Sequence, residues 1–198
     1  MIAEDIVDAF SSFGDLGLLV ALTLIIWIDG TAFPTLPEVW LVFMYGVDPG
    51  SFAWGVTLVL VASAASLLGN FTLYYLVKKA RLPSWIQKRM KQYTDFLIVK
   101  DERLLLLNRL APMVPYTGAF IAVCGWNLRK SALFIFVSAI AKFSVIVLIS
   151  WVSYDQLRED IAPTVALVSV AIVLVVSFVA SVVYKRRAMP KEGQARSQ

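Results

Sequence analysis

Three ionisable side chains stand in this 198-residue chain where apolar surroundings would have to bury them: Glu38 in "FPTLPEVWLVFMYG", Arg109 in "LLLLNRLAPMVPYTGAFIAVCGW" and Lys142 in "VSAIAKFSVIV". Lys142 lies halfway along an apolar run, so in a bilayer its ammonium is about 15 Å from either surface, farther than a lysine side chain snorkels. A charge at that depth costs about 2.5–3.5 kcal/mol on insertion scales. Lys142 therefore needs an internal partner, and its chemistry is either to hold an anion or to brace helices through a permanent pair. Glu38 follows Pro37 at the start of a returning segment. A carboxylate there can cap a helix N-terminus, or carry a proton where burial and a nearby cation pull its protonation in opposite directions. Arg109 lies about two turns inside the basic boundary at Arg103 and can snorkel. Pro112 and Pro115 favour the other reading, a guanidinium turned into a cavity, where its planar fork suits bidentate phosphate binding.

The rest of the inventory narrows the chemistry. The chain has no His and one Cys, Cys124, so it offers no intrachain disulfide and no Cys/His metal cluster. It has no glycine-rich phosphate loop and no nucleophile with a base at a recognisable spacing, so an enzyme is the least expected class, with no cofactor and no metal.

The elements that must position these residues are membrane elements. A chain that is 59% hydrophobic reads as an all-α integral membrane protein rather than a soluble domain. Segments 52–77, 131–154 and 161–184 are long enough to cross a core of about 30 Å as helices. Segments 16–47 and 104–126 are apolar but interrupted, the first by Asp29, Gly30, Pro34, Pro37 and Glu38, the second by Asn108, Arg109, Pro112, Pro115 and Gly118. Each reads as a re-entrant helical hairpin, because paired prolines break backbone hydrogen bonds that only buried or wet surroundings satisfy. The alternative is a kinked or tilted spanning helix.

Charge supports the hairpins. With three crossings and two re-entries, 78–103, 127–130 and the tail fall on one side, and they hold every Lys and Arg outside the membrane except Arg158. Glu4, Asp5, Asp8, Asp15, Asp48, Asp155, Glu159 and Asp160 fall on the other. The basic side is cytoplasmic by the positive-inside bias, which predicts a multi-pass protein of the cell (cytoplasmic) membrane with the N-terminus outside and the C-terminus cytoplasmic. The same bias accounts for a pI near 9.2 without nucleic-acid binding. Residues 1–15 begin with acids, lack the basic region of a secretory signal and carry Ile2, Ile6, Phe10 and Phe13 at helical spacing, which predicts a retained interfacial helix. The 78–103 loop interleaves basic residues with Trp85, Tyr93 and Phe96, as either a helix on the anionic leaflet or a solvated loop. Residues 185–198 are polar and read as a disordered tail.

A re-entrant segment followed by a crossing helix thus occurs twice, in opposite orientations. Inverted repeats with broken helices meeting near the midplane are a recurring transporter plan. The inference rests on topology and on prolines in corresponding places.

The pieces "PEVWLVFMYG", "LLGNFTLYYLVKKAR", "NRLAPMVPYTGAFIAVCGW" and "AKFSV", in that order from about Phe33 to Trp151, resemble the DedA superfamily, also called the VTT or SNARE-associated domain family. The YqaA-like branch is most similar, with Glu38, Gly69, Asn70 and Lys142 at its characteristic places. The resemblance implies a small multi-pass lipid transporter with opposed re-entrant hairpins, of a family associated with flipping polyprenyl phosphates or scrambling phospholipids and with dependence on the proton gradient or membrane potential. It places the family's membrane glutamate at Glu38, the first motif arginine at Arg109 and the motif proline at Pro112. Pro115 stands where the family usually has a second arginine, a missing charge that Lys142 is positioned to restore.

The leading expectation is a flippase or scramblase for a phosphate-bearing lipid, with membrane lipids as partners. Arg109 and Lys142 hold the anionic headgroup, Asn70, Pro112 and Pro115 shape the site, and Glu38 exchanges protons. One alternative is a proton-coupled exporter of small cationic compounds, using Glu38 and an aromatic wall of Trp27, Trp40 and Phe43. A second is a scaffold that moves nothing.

Overall fold

The computed structural model describes residues 14–31, 35–80, 83–95, 101–110, 116–156 and 161–188. Among these residues the structure is all-helical, with eight α-helices: α1 (Gly14–Thr31), α2 (Pro37–Tyr45), α3 (Phe52–Ala80), α4 (Ser84–Asp95), α5 (Leu104–Leu110), α6 (Thr117–Cys124), α7 (Leu128–Gln156) and α8 (Ala162–Ala188). The expected interfacial helix at 1–15 and the end of the tail, 189–198, lie almost wholly outside the described residues. The helix α8 carries the chain past the expected start of disorder at 185 as far as Ala188. The segment 84–95 is a helix rather than a solvated loop.

Among the described residues, three helices are long and apolar enough to cross a membrane: α1, α3 and α7. The last two coincide with the expected crossings at 52–77 and 131–154. The first is the entering arm of the segment expected to re-enter, and its 18 residues reach about 27 Å. The third expected crossing, 161–184, falls in the continuous helix α8 from its second residue on, and the described apolar run of that helix is Ala162–Val176.

The helix α1 shows why apolar residues occur all round it. Leu18, Ala21, Leu22 and Ile26 recur at helical spacing on the buried face, while Leu16, Val20 and Leu24 are exposed on the other. An exposed apolar face suits hydrocarbon surroundings. Both interrupted segments break as their prolines predict. Each returning helix is preceded by a non-glycine residue in the left-handed region, Leu36 (φ 51°) before α2 and Tyr116 (φ 52°) before α6. Pro37 occupies the first turn of α2, where its missing N–H costs nothing. The helix α6 stops at Gly125 (φ 68°), and Asn127 Oδ1 then accepts from the N–H groups of Arg129 (3.0 Å) and Lys130 (3.2 Å) to start α7.

The helix α1 packs along α3; α3 also packs against α6 and α7; α7 contacts α2, α5 and α8. The main core joins Leu22 and Ile26 of α1, Leu41 and Met44 of α2, Leu58 of α3 and Phe143 of α7. A smaller core joins Leu105 of α5, Ile121 of α6 and Ile135 of α7. Glycines let three helices meet at one level of α3. A Cβ on Gly69 would lie 2.6 Å from the carbonyl oxygen of Trp27 and 2.9 Å from Gly30 Cα, and one on Gly118 would lie 2.2 Å from the carbonyl oxygen of Asn70. Both broken segments therefore touch α3 at Gly69–Asn70, where only glycine permits the approach.

Candidate functional site

Lys142 is the central residue of the 29-residue helix α7, and it has found the internal partner its depth requires. Its Nζ pairs with Oε1 of Glu38, which lies in the first turn of α2 and is buried; the Lys142 side chain is about one-fifth exposed. The pair lines a cavity of about 790 Å³. Asn70 lines the same cavity, is buried, and donates from Nδ2 to the carbonyl oxygen of Ser66 (2.8 Å), one turn back on α3. Glu38, Asn70 and Lys142, far apart in the chain, are thus brought to one place. The backbone of Arg109 lies near the end of α5. Its side chain, and all of Pro112 and Pro115, lie outside the described residues.

The break between α1 and α2 is held by polar contacts centred on Thr35. Its N–H donates to Asp29 Oδ1 (3.0 Å), its Oγ1 donates to the carbonyl oxygen of Ile25 (3.1 Å), and its own carbonyl oxygen accepts from Trp40 Nε1 (3.1 Å). These contacts satisfy backbone groups that an interrupted helix leaves open in apolar surroundings, and they fix the residue two places before Pro37 and so the start of the helix that presents Glu38. The other break has a smaller tie, Asn108 Nδ2 donating to Thr117 Oγ1 (3.3 Å). Tyr116 and Thr117, at the start of α6, line the cavity, as do Leu36 and Glu38, at the start of α2. Two helix N-termini, the positive ends of their dipoles, therefore border one space.

The sequence reading missed Asp29 as a site residue. It was legible as an acid interrupting an apolar segment, but only the fold shows that it lines the cavity. Among the described residues the cavity lining carries two acidic residues, Asp29 and Glu38, and one basic residue, Lys142. The aromatic residues expected as a wall for a cation exporter do not line this cavity. Trp27 Nε1 donates to Thr72 Oγ1 (3.0 Å), Trp40 is engaged with Thr35, and Trp27, Trp40 and Phe43 are not among the lining residues.

Away from the charges the cavity is apolar. Val137, Ala141, Val145 and Ile149 recur every fourth residue along α7 and so share one face; they line it together with Val170, Val173 and Leu174 of α8. Val137, Val145 and Val173 are between 42% and 48% exposed, so this wall is open along its length. No family model, curated protein or solved structure matches this chain.

Proposed function

We propose that this chain is a membrane transporter of the type its resemblance to the DedA superfamily implies, moving an amphipathic lipid with a phosphate-bearing headgroup such as a polyprenyl phosphate or a phospholipid. One observation carries the reading: the buried Glu38 carboxylate and the partly buried Lys142 pair in a cavity whose wall continues as the open apolar track between α7 and α8. A charged end and an aliphatic track in one space suit a molecule with a charged head and an apolar tail. A small polar ion has no use for the track.

Depth supports the same reading. The helix α2 has nine residues and α6 eight, so each reaches only about 12–14 Å, less than half of a hydrocarbon core. The helix α3 begins at Phe52, just beyond the Gly46–Gly50 turn, and α7 begins just beyond Gly125. If α3 and α7 start at opposite surfaces, the N-termini of α2 and α6 both end near the midplane, where transporters with opposed broken helices bind their substrates. The contacts also exchange under a swap of halves: α1 with α3 corresponds to α5 with α7, and α2 with α7 corresponds to α6 with α3. This favours two opposed re-entrant hairpins.

In the cycle that follows, Lys142, with Arg109, receives the anionic headgroup, Glu38 exchanges a proton, and the tail stays along α7 and α8. The test is translocation of fluorescent lipids in proteoliposomes, with phosphatidyl lipids and a polyprenyl phosphate in parallel. Wild type translocates, and Lys142→Ala abolishes it; no translocation of any lipid by folded wild type would sink the reading. Asp29 supports a second reading, proton-coupled export of a small cation, since two acids face the cavity. That reading predicts efflux of cationic compounds that stops with Asp29→Asn.

A further inference from the structure

We propose that α4 and the end of α3 form a surface that binds the headgroups of anionic membrane phospholipids, separate from the cavity. The stretch 78–92 holds six basic residues, Lys78, Lys79, Arg81, Lys88, Arg89 and Lys91, and no acid. The carbonyl oxygen of Pro83 accepts from the N–H groups of Ile86 (3.0 Å) and Gln87 (3.2 Å), so α4 starts as a new helix after α3 has ended at Ala80. Its 12 residues are too few and too polar to cross a bilayer, so α4 lies either on a membrane surface or in water.

The two faces of α4 decide between these. Ile86, Gln87 and Met90 are half-buried on one face, and α4 packs against α6. Trp85, Lys88, Arg89 and Gln92, at i, i+3, i+4 and i+7, share the opposite face, and all four are exposed. The Trp85 side chain is 67% exposed. Among the described residues neither Lys88 nor Arg89 is in an ion pair. The acids before α5 have other partners: Asp101 Oδ1 accepts the Arg103 N–H (2.9 Å) and Glu102 Oε1 that of Asn127 (2.8 Å). The end of α3 repeats the arrangement, with Tyr75, Lys78 and Lys79 at i, i+3 and i+4, all exposed. Two helices thus each present an aromatic ring with two cations one turn on. A helix in water gains solubility from the cations and nothing from the indole. On an anionic lipid surface the ring sits among the headgroups while the cations meet their phosphates. Because α4 lies on α6, whose first residues border the cavity, headgroups bound here rest against an element of the cavity wall. The surface does not depend on what the cavity carries.

The experiment uses the full chain in dodecylmaltoside micelles, with Cys124→Ser and with Gln92→Cys carrying an environment-sensitive fluorophore on the exposed face of α4. Phosphatidylglycerol is titrated into the micelles, with phosphatidylcholine as the neutral control. The expected result is an emission change with phosphatidylglycerol alone, weakened by salt, whose midpoint rises about fivefold for each of Lys88→Gln and Arg89→Gln. Both substitutions fall on exposed side chains and leave the fold intact. A variant without the cavity pair, Glu38→Leu with Lys142→Met, keeps the same titration. Equal response to both lipids, no response to either, or a midpoint that the Lys88 and Arg89 substitutions leave in place overturns the proposal. A response lost with the cavity pair places the bound anion in the cavity and overturns it too. A response to a single-stranded oligonucleotide without one to phosphatidylglycerol overturns it and assigns the face to nucleic acid.

Discussion

Glu38 and Lys142 each hold the other in apolar surroundings, and this makes their single and double substitutions differ in kind. Removing one partner strands a buried charge, at a cost of about 3–5 kcal/mol, whereas replacing both by apolar residues of similar volume is often neutral. Glu38→Ala and Lys142→Ala are therefore expected to lower the thermal midpoint markedly, and the double variant Glu38→Leu, Lys142→Met to recover it while translocating no lipid. Midpoints measured in detergent beside fluxes in liposomes check this. A double variant that still transports would reduce the pair to a brace, the role a scaffold needs. Asp29 separates folding from function differently. Asp29→Ala removes the acceptor of the Thr35 N–H (3.0 Å), leaving a partly buried donor unsatisfied, and is expected to cost about 1–3 kcal/mol. Asp29→Asn keeps an acceptor oxygen there, so most of that stability should return, and lipid flux should survive; loss of flux in a stable Asp29→Asn protein would make the carboxylate part of the transport cycle.

The elements meet at glycines packed around Gly69–Asn70 of α3. Alanine at Gly118 places a Cβ 2.2 Å from the backbone oxygen of Asn70, and alanine at Gly69 one 2.6 Å from that of Trp27, so in both cases backbone must move. Gly118→Ala is expected to destabilise by about 1–3 kcal/mol and to slow transport, because it pushes the start of α6 away from the cavity it borders. Denaturation and flux on one preparation test this; a Gly118→Ala protein with wild-type stability would show that α6 does not pack this closely. That crossing could not be read from the chain. Gly30 and Gly118 read only as interruptions of apolar runs and Gly69 only as part of a resemblance, and their role as contact points depends on which helices touch, a relation between residues far apart in sequence. Lys142 was legible because its cost is set by depth alone, and depth follows from run length. Pro34, Pro37, Pro112 and Pro115 announced both interruptions, since proline acts on its own helix. What each break holds was not announced. Asp29 gained its role only when Thr35 and the cavity were placed beside it, and α1 proved long enough to cross although its segment reads as interrupted.

At the scale of the whole molecule, the arrangement of charge predicts an orientation that labelling can test. If the two halves are opposed, the turn after α2 and the end of α7 lie on one face, while α4 and the start of α7 lie on the other. The exposed residues Asp48 and Asp155 mark the first face, and Lys88 and Lys130 the second. In a Cys124→Ser background, so that no native thiol competes, single cysteines at these four positions report their side through a membrane-impermeant maleimide. Asp48→Cys and Asp155→Cys are expected to react in intact cells, and Lys88→Cys and Lys130→Cys only after permeabilisation, since the basic segments belong in the cytoplasm. The Asp48 result carries the most weight. The helix α2 reaches only about 14 Å, so Asp48 stands at the outer surface only if α2 starts near the midplane and the segment before it turns back inside the membrane. Labelling of Asp48→Cys and Lys130→Cys from the same face would put the N-termini of α2 and α6 on one side of the bilayer, and Glu38 and Thr117 would then face a cavity without opposed entrances. Labelling from opposite faces would leave Lys142, at the centre of α7, facing a cavity bordered by one helix N-terminus from each side, which is the geometry an alternating site needs.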